Sequence, residues 1–193
     1  MQLSIRLPEI PITVTREQFS VIAAENADLR LERTRAGELI VNPPAGSESG
    51  RVNLIISAPL WVWAEANPGL GVASDSSAGF ELPNGATRAP DASWVQLKRW
   101  NALTQVEKEG FAPLCPDFVI ELSSKTDRLT VLQAKMQEYL ENGARLGWLI
   151  DMQNKRVEVY RPGREVESLE QSETLSGKNV LPPFALSLTR IWD

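Results

Sequence analysis

Residues Asp117 to Leu122 read DFVIEL, a short and nearly continuous apolar run. Such a run fits a central strand buried on both faces. After it, Leu129, Leu132, Met136, Tyr139 and Leu140 recur at helical spacing and share one face of a helix from Leu129 to Asn142. Thr126 or Asp127 is its expected N-cap, and Gly143 its stop. Leu146 to Asp151 (LGWLID) and Val157 to Tyr160 (VEVY) then read as strands, followed by a further hairpin. Strands alternating with helices define an α/β chain with a mixed sheet flanked by helices.

The remainder fits that class. Thr15 opens a first helix, and Gln18 three residues later completes a capping box before Phe19, Ile22 and Ala23. Leu29 to Arg33 and Glu38 to Asn42 read as a hairpin around Arg35-Ala36-Gly37. A second helix is expected from Ser49 to Ala66, with Leu54, Ile55, Ala58, Trp61 and Val62 as its apolar face and a kink at Pro59. Gly71 to Ser74 and Arg88 to Val95 read as strands. The apolar tail, Phe184 to Trp192, is expected to dock on the body. There is no internal repeat. The Pro- and Gly-containing stretches at Asn42 to Gly50 and Leu82 to Pro90 read as loops, so one domain over residues 1–193 is expected.

The chemistry is bounded by an absence: there is no histidine. That removes a Ser-His-Asp triad, a Cys-His pair, an HExxH zinc site and the histidine-based nucleases. Acid–base or metal chemistry must rest on carboxylates, Lys or Tyr. The metal option left is a hard cation on oxygen ligands, Mg²⁺ or Mn²⁺. One cysteine, Cys115, excludes an intrachain disulfide and reads as an inert buried thiol. No apolar run reaches the ~20 residues of a membrane span. The start, MQLSIRLPEI, lacks the pattern of a signal peptide, so a cytoplasmic protein is expected. The net charge of −5 runs against a body wrapped tightly by DNA, but leaves room for a small basic cleft. NPPAGSESG has no phosphate-loop lysine and is not read as a nucleotide site.

Two acids stand out. Asp91, in RAPDASWV, follows a proline and opens a strand. Glu121 sits at the far end of DFVIEL, where a carboxylate costs several kcal/mol to desolvate unless paired, protonated or metal-bound. Lys135 lies at the flank of the apolar face of its helix, able to lay its stem on the sheet and carry its ammonium to a cleft. Each has a plainer reading: Asp91 as a surface turn acid, Glu121 as a strand-end acid paired with Arg88 or Arg145, Lys135 as a solvated lysine. Most of the six tryptophans read as core. Trp61 and Trp148 fall on apolar positions, whereas Trp63 and Trp100 are the two considered for a partner or nucleic-acid surface.

The runs NPPAGSESGRVN, FELPNGATRAPDASWV, GFAPLCPDFVIELSS, DRLTVLQAKMQEYLENGARLGWLID and VEVYRPG together resemble the Uma-type family of restriction endonucleases, within the PD-(D/E)XK nuclease superfamily. The resemblance implies a restriction-endonuclease-like fold. It places the family's PD aspartate on Asp91, the acid of its D/E-x-K element on Glu121, and the acid of its early strand on Glu32. Ser123 stands where the lysine of that element is expected. The lysine role then falls to Lys135, with Lys125 in SSKTDR as the competing choice. Asp91 and Glu121, with the carbonyl of Leu122, would hold Mg²⁺ or Mn²⁺. Glu32 would complete the metal shell or hold the lysine. The implied activity is metal-dependent phosphodiester hydrolysis on DNA by a homodimer, since two strands are cut symmetrically. The alternatives are a non-catalytic nucleic-acid-binding or interaction module on the same fold, and a nuclease of RNA or mobile-element intermediates.

Overall fold

The computed structural model describes residues 11–44, 46–124 and 127–192. The readings made on the first ten residues, on Lys125 and on Thr126 lie outside the described residues. Helix α1 (Arg16–Glu25) starts from the Thr15–Gln18 capping box, with both reciprocal hydrogen bonds made. The hairpin follows as β1 (Arg30–Arg33) and β2 (Leu39–Asn42), paired antiparallel. Gly37 takes φ +90° in its turn, and an added Cβ there would press on the Val14 carbonyl at 3.0 Å. Such a turn favours glycine.

Helix α2 (Ser47–Ala66) precedes β3 (Gly71–Asp75), β4 (Phe80–Glu81), β5 (Thr87–Arg88) and β6 (Ala92–Gln96). Two short helices, α3 (Leu97–Asn101) and α4 (Gln105–Glu109), lead to β7 (Phe118–Ser123). Helix α5 (Leu129–Glu141) then crosses to β8 (Leu146–Asp151), followed by β9 (Arg156–Tyr160) and β10 (Glu167–Glu170). A small hairpin, β11 (Thr174–Ser176) and β12 (Ala185–Ser187), and helix α6 (Thr189–Trp192) finish the chain.

The main sheet has the order β10-β9-β8-β7-β6-β3. Only β7 and β8 run parallel, joined by α5 as the crossover that parallel strands require. All six residues of β7 and of β8 are buried, as expected of the two central strands. One face of the sheet, with Trp94, Phe118, Ile120 and Trp148, packs on α2 and the C-terminal tail. The other, with Val95, Val119 and Leu149, packs on Met136 and Tyr139 of α5 and on Phe80 of the smaller sheet, β2-β1-β5-β4. The architecture is α/β, a mixed sheet flanked by helices.

Four expectations are corrected. First, α2 turns Val52, Ile56, Leu60 and Ala64 inward, while Leu54, Trp61 and Val62 lie exposed. The helix is apolar on two opposite sides, and the stripe chosen from sequence is the outer one. It also runs on through the exposed Pro59 from Ser47 to Ala66. Second, the assignments of Trp61, Trp63 and Trp100 invert, while Trp148 is buried in the core as expected. Trp63 packs against Trp94 and Phe184, with ring centroids 5.9 and 5.6 Å apart, and Trp100 is half-buried, whereas Trp61 is exposed. Third, Arg88 to Val95 is not one strand. Pro90 has no N–H to give a ladder, and the chain passes there from β5 in the small sheet to β6 in the main one. Fourth, the N-cap of α5 is Arg128, because the Asp127 carboxylate instead accepts from the Ser124 N–H. Among the described residues, no helix is long and apolar enough to cross a membrane.

Candidate active site

The break at Pro90 places Asp91 where the two sheets meet. Its N–H donates to the Ile120 carbonyl at 3.0 Å, and its Oδ2 accepts from the Leu122 N–H at 2.8 Å, so both its backbone and its side chain clip onto β7. Oδ1 is held loosely, by Asn53 Nδ2 of α2 at 3.2 Å and an Arg30 guanidinium nitrogen at 3.5 Å. The N–H and C=O of one strand residue project to the same edge. The Leu122 carbonyl therefore faces the side on which Asp91 stands.

Glu121 alternates away from the apolar Ile120 and Leu122, toward α5. Its Oε1 accepts from the Tyr139 hydroxyl at 2.9 Å and lies 2.8 Å from Lys135 Nζ. Among the described residues, no donor reaches its Oε2. Lys135 Nζ also donates to Glu32 Oε1 at 2.7 Å. Glu32, on β1, takes the Ala89 N–H on the same oxygen and Arg88 on Oε2, both at 3.1 Å. Arg88 in turn donates through Nε to Glu138 at 2.6 Å. Lys135, Glu138 and Tyr139 reach one cluster because residues three and four apart share a helix face.

The electrostatics follow from burial against pairing. Burial pushes the Glu121 carboxyl up to about 7, with the Asp91 and Glu32 charges adding to the rise and Lys135 opposing it. Burial likewise raises Asp91, against the pull of the Leu122 N–H, Lys135 and Arg30. At Glu32 burial is outweighed by Lys135 and Arg88, which hold its carboxyl below the usual range. At Lys135 burial is outweighed by Glu121 and Glu32, which raise it. Lys135 thus keeps its charge, while burial brings the Glu121 carboxyl to about 7. Cys115, buried and pushed up to about 12, stays a thiol.

Glu32, Asp91, Glu121, Leu122 and Lys135 all line one cleft of about 1410 Å³. Lys135 is not a solvated helix lysine, since its side chain is only 11% exposed. Neither arginine considered for Glu121 pairs with it. Arg88 binds Glu32 and Glu138, and Arg145 lies 4.0 Å from Asp117. Sequence reasoning passed over Asn53, Glu138 and Tyr139. Only the helical spacing of the latter two from Lys135 carried a signal.

Among the described residues, no group of three or more His, Cys, Asp or Glu is placed to hold a metal ion. The donors that fit one are Asp91, the unengaged oxygen of Glu121 and the Leu122 carbonyl. That is an all-oxygen set suited to a hard divalent cation.

A mixed sheet with two acids and a lysine gathered at one end of its central strands defines a protein of the restriction-endonuclease-like class. The signature of the Uma2 family, described as "Putative restriction endonuclease", matches residues 16–189, and the chain belongs to that family. A crystal structure described as a putative nuclease belonging to DUF820, from Anabaena variabilis ATCC 29413, superposes with a TM-score of 0.71 at 20% identity. The match covers 94% of this chain and 98% of that one, and it establishes the likeness of fold. Comparison with curated proteins finds no match.

Proposed function

We propose that the chain is a metal-dependent endonuclease that hydrolyses phosphodiester bonds of DNA, acting in the cytoplasm as a homodimer of single restriction-endonuclease-like domains. The observation that carries this reading is the position of Lys135 Nζ, 2.8 Å from Glu121 in the cleft that Asp91 also lines. Asp91, Glu121 and the Leu122 carbonyl would hold Mg²⁺ or Mn²⁺. When bound, such an ion polarises a phosphate oxygen and acidifies water. Lys135 keeps its proton at Nζ and offers an N–H to the attacking water and to negative charge developing on phosphate. Glu32, pinned by Arg88 and the Ala89 N–H, sets the position of that ammonium. Tyr139 holds Glu121 Oε1, while Oε2 has no donor among the described residues.

The test is cleavage of plasmid DNA with Mg²⁺ or Mn²⁺, beside Asp91→Ala and Glu121→Ala. Metal-dependent nicking lost in both variants is expected. Cleavage indifferent to either substitution overturns the site. One observation favours a second reading: the Lys135 ammonium already gives two of its three N–H groups to carboxylates, as in a structural network. A non-catalytic interaction module on this fold would show neither cleavage nor calorimetric metal binding.

A further inference from the structure

The outer side of α2 carries more than stray apolar residues. Leu54, Trp61 and Val62 are 65%, 56% and 57% exposed on a helix whose opposite side is fully used by the core. At about 100° per residue, Arg51, Leu54, Ile55, Ala58, Trp61, Val62 and Glu65 fall within about 60° of the direction of Ala58. Their order is also symmetric about that alanine. Arg51 lies seven residues before it and Glu65 seven after, Leu54 and Val62 lie four either side, and Ile55 and Trp61 three either side. A helix stripe of this pattern is complementary to itself when reversed. Two copies laid antiparallel bring Ala58 against Ala58, Leu54 against Trp61 of the partner subunit and, at the edge, the half-buried Ile55 against Val62 of the partner subunit. An arginine then meets a glutamate at each end.

We propose that this face of α2 is the surface on which a second copy of the chain docks, through an antiparallel two-fold pairing centred on Ala58. This deepens the homodimer reading above and rests on it, while standing apart from the nuclease chemistry. Several features favour a second copy over a different partner. A two-fold contact uses the same patch on both subunits, so it needs a self-complementary surface. The opposite charges sit at matching distances from the centre, and a small residue at the crossing lets two helices approach to about 8–10 Å. Trp61 supplies the kind of large aromatic anchor on which interfaces depend. In the isolated chain Arg51 already bonds Glu48 at 2.6 Å, an exposed pair within the same helix. Such exposed pairs exchange partners at little cost. A single pair of helices buries less than a standard interface of roughly 1,600 Å², so the dimer is expected to depend on concentration.

Sedimentation equilibrium of the full chain over a wide concentration range tests this. The mass should rise from 21.4 kDa toward twice that value. W61E should remain at the monomer mass across the range, with an unchanged far-ultraviolet spectrum showing that it folds. R51E and E65R should each weaken association at least tenfold by setting like charges opposite one another. The double variant R51E/E65R should recover it, a rescue that only the antiparallel pairing of these two positions provides. A chain monomeric throughout, a dimer indifferent to W61E, or a double variant no better than its single parents overturns the proposal. Cleavage of plasmid by a monomeric wild type would leave the nuclease reading standing and sink only this one.

Discussion

Lys135 is bound to Glu32 and Glu121 at once; its removal leaves Glu32 with Arg88 but strands Glu121, whose one counterion among the described residues it is. Breaking a buried pair by deleting one partner costs about 3–5 kcal/mol, because the charge left behind has neither water nor a counterion. Lys135→Met should therefore lower the stability of the metal-free protein by about that much at pH 8. Glu121→Gln should do the opposite. Burial makes the ionised Glu121 unfavourable at this pH, while an amide of the same shape keeps an oxygen for the Tyr139 hydroxyl and leaves Lys135 paired with Glu32. Its denaturation midpoint should match or exceed that of the wild type, although its cleavage is lost. Urea unfolding of both variants in EDTA checks the pair of signs. A strongly destabilised Glu121→Gln would mean that the acid serves the fold rather than the cleft.

At the scale of elements, α5 carries Lys135, Met136, Glu138 and Tyr139, and its seat on β8 is made by Gly147. A Cβ at Gly147 would collide with the Met136 Cε and stand 3.4 Å from the Val119 Cγ2. Gly147→Ala should cost about 1–3 kcal/mol by overpacking. It should also reduce cleavage well below the melting temperature, since the helix that yields is the one that aims Lys135. Thermal melts beside plasmid assays at 25 °C read both effects, and an unchanged cleavage rate would show that Met136 moves alone. The sequence displayed β7, α5 and β8 clearly, because strands buried on both faces and a helix with one apolar face each leave a single pattern. It misled at α2 for the converse reason. Val52, Ile56, Leu60 and Ala64 satisfy the helical period as well as Leu54, Ala58, Trp61 and Val62 do, and only the sheet decides which stripe turns inward. The candidate acids were visible because Glu121 is out of place in an apolar strand. The Arg88–Glu138 link was hidden, because it joins residues 50 apart through a turn whose course depends on Pro90.

For the whole molecule, the acids of the cleft couple stability to pH and to metal. Glu121 titrates at about 7 when folded, against an ordinary value of 4.5, and Asp91 is also raised by burial. Between those limits the folded chain holds more protons than the unfolded one, so stability falls as pH rises. The contribution from a neutral Glu121 is full below pH 4.5 and lost as pH passes 7. Glu32 acts in the opposite sense. Its carboxyl lies below 4.5, so it favours the fold above that pH and ceases to do so only in more acidic solution. In EDTA the melting temperature should therefore decline from pH 5 to pH 8. A cation that binds the ionised acids stabilises only the folded state, by an amount that grows with its affinity. The rise in melting temperature on adding 10 mM Mg²⁺ should thus be small at pH 5 and largest at pH 8, flattening the decline. Glu121→Gln should remove most of both the slope and the Mg²⁺ effect. Melts at pH 5, 6, 7 and 8, with and without Mg²⁺, decide the matter. A metal effect of equal size at every pH would place the ion somewhere other than on Asp91 and Glu121.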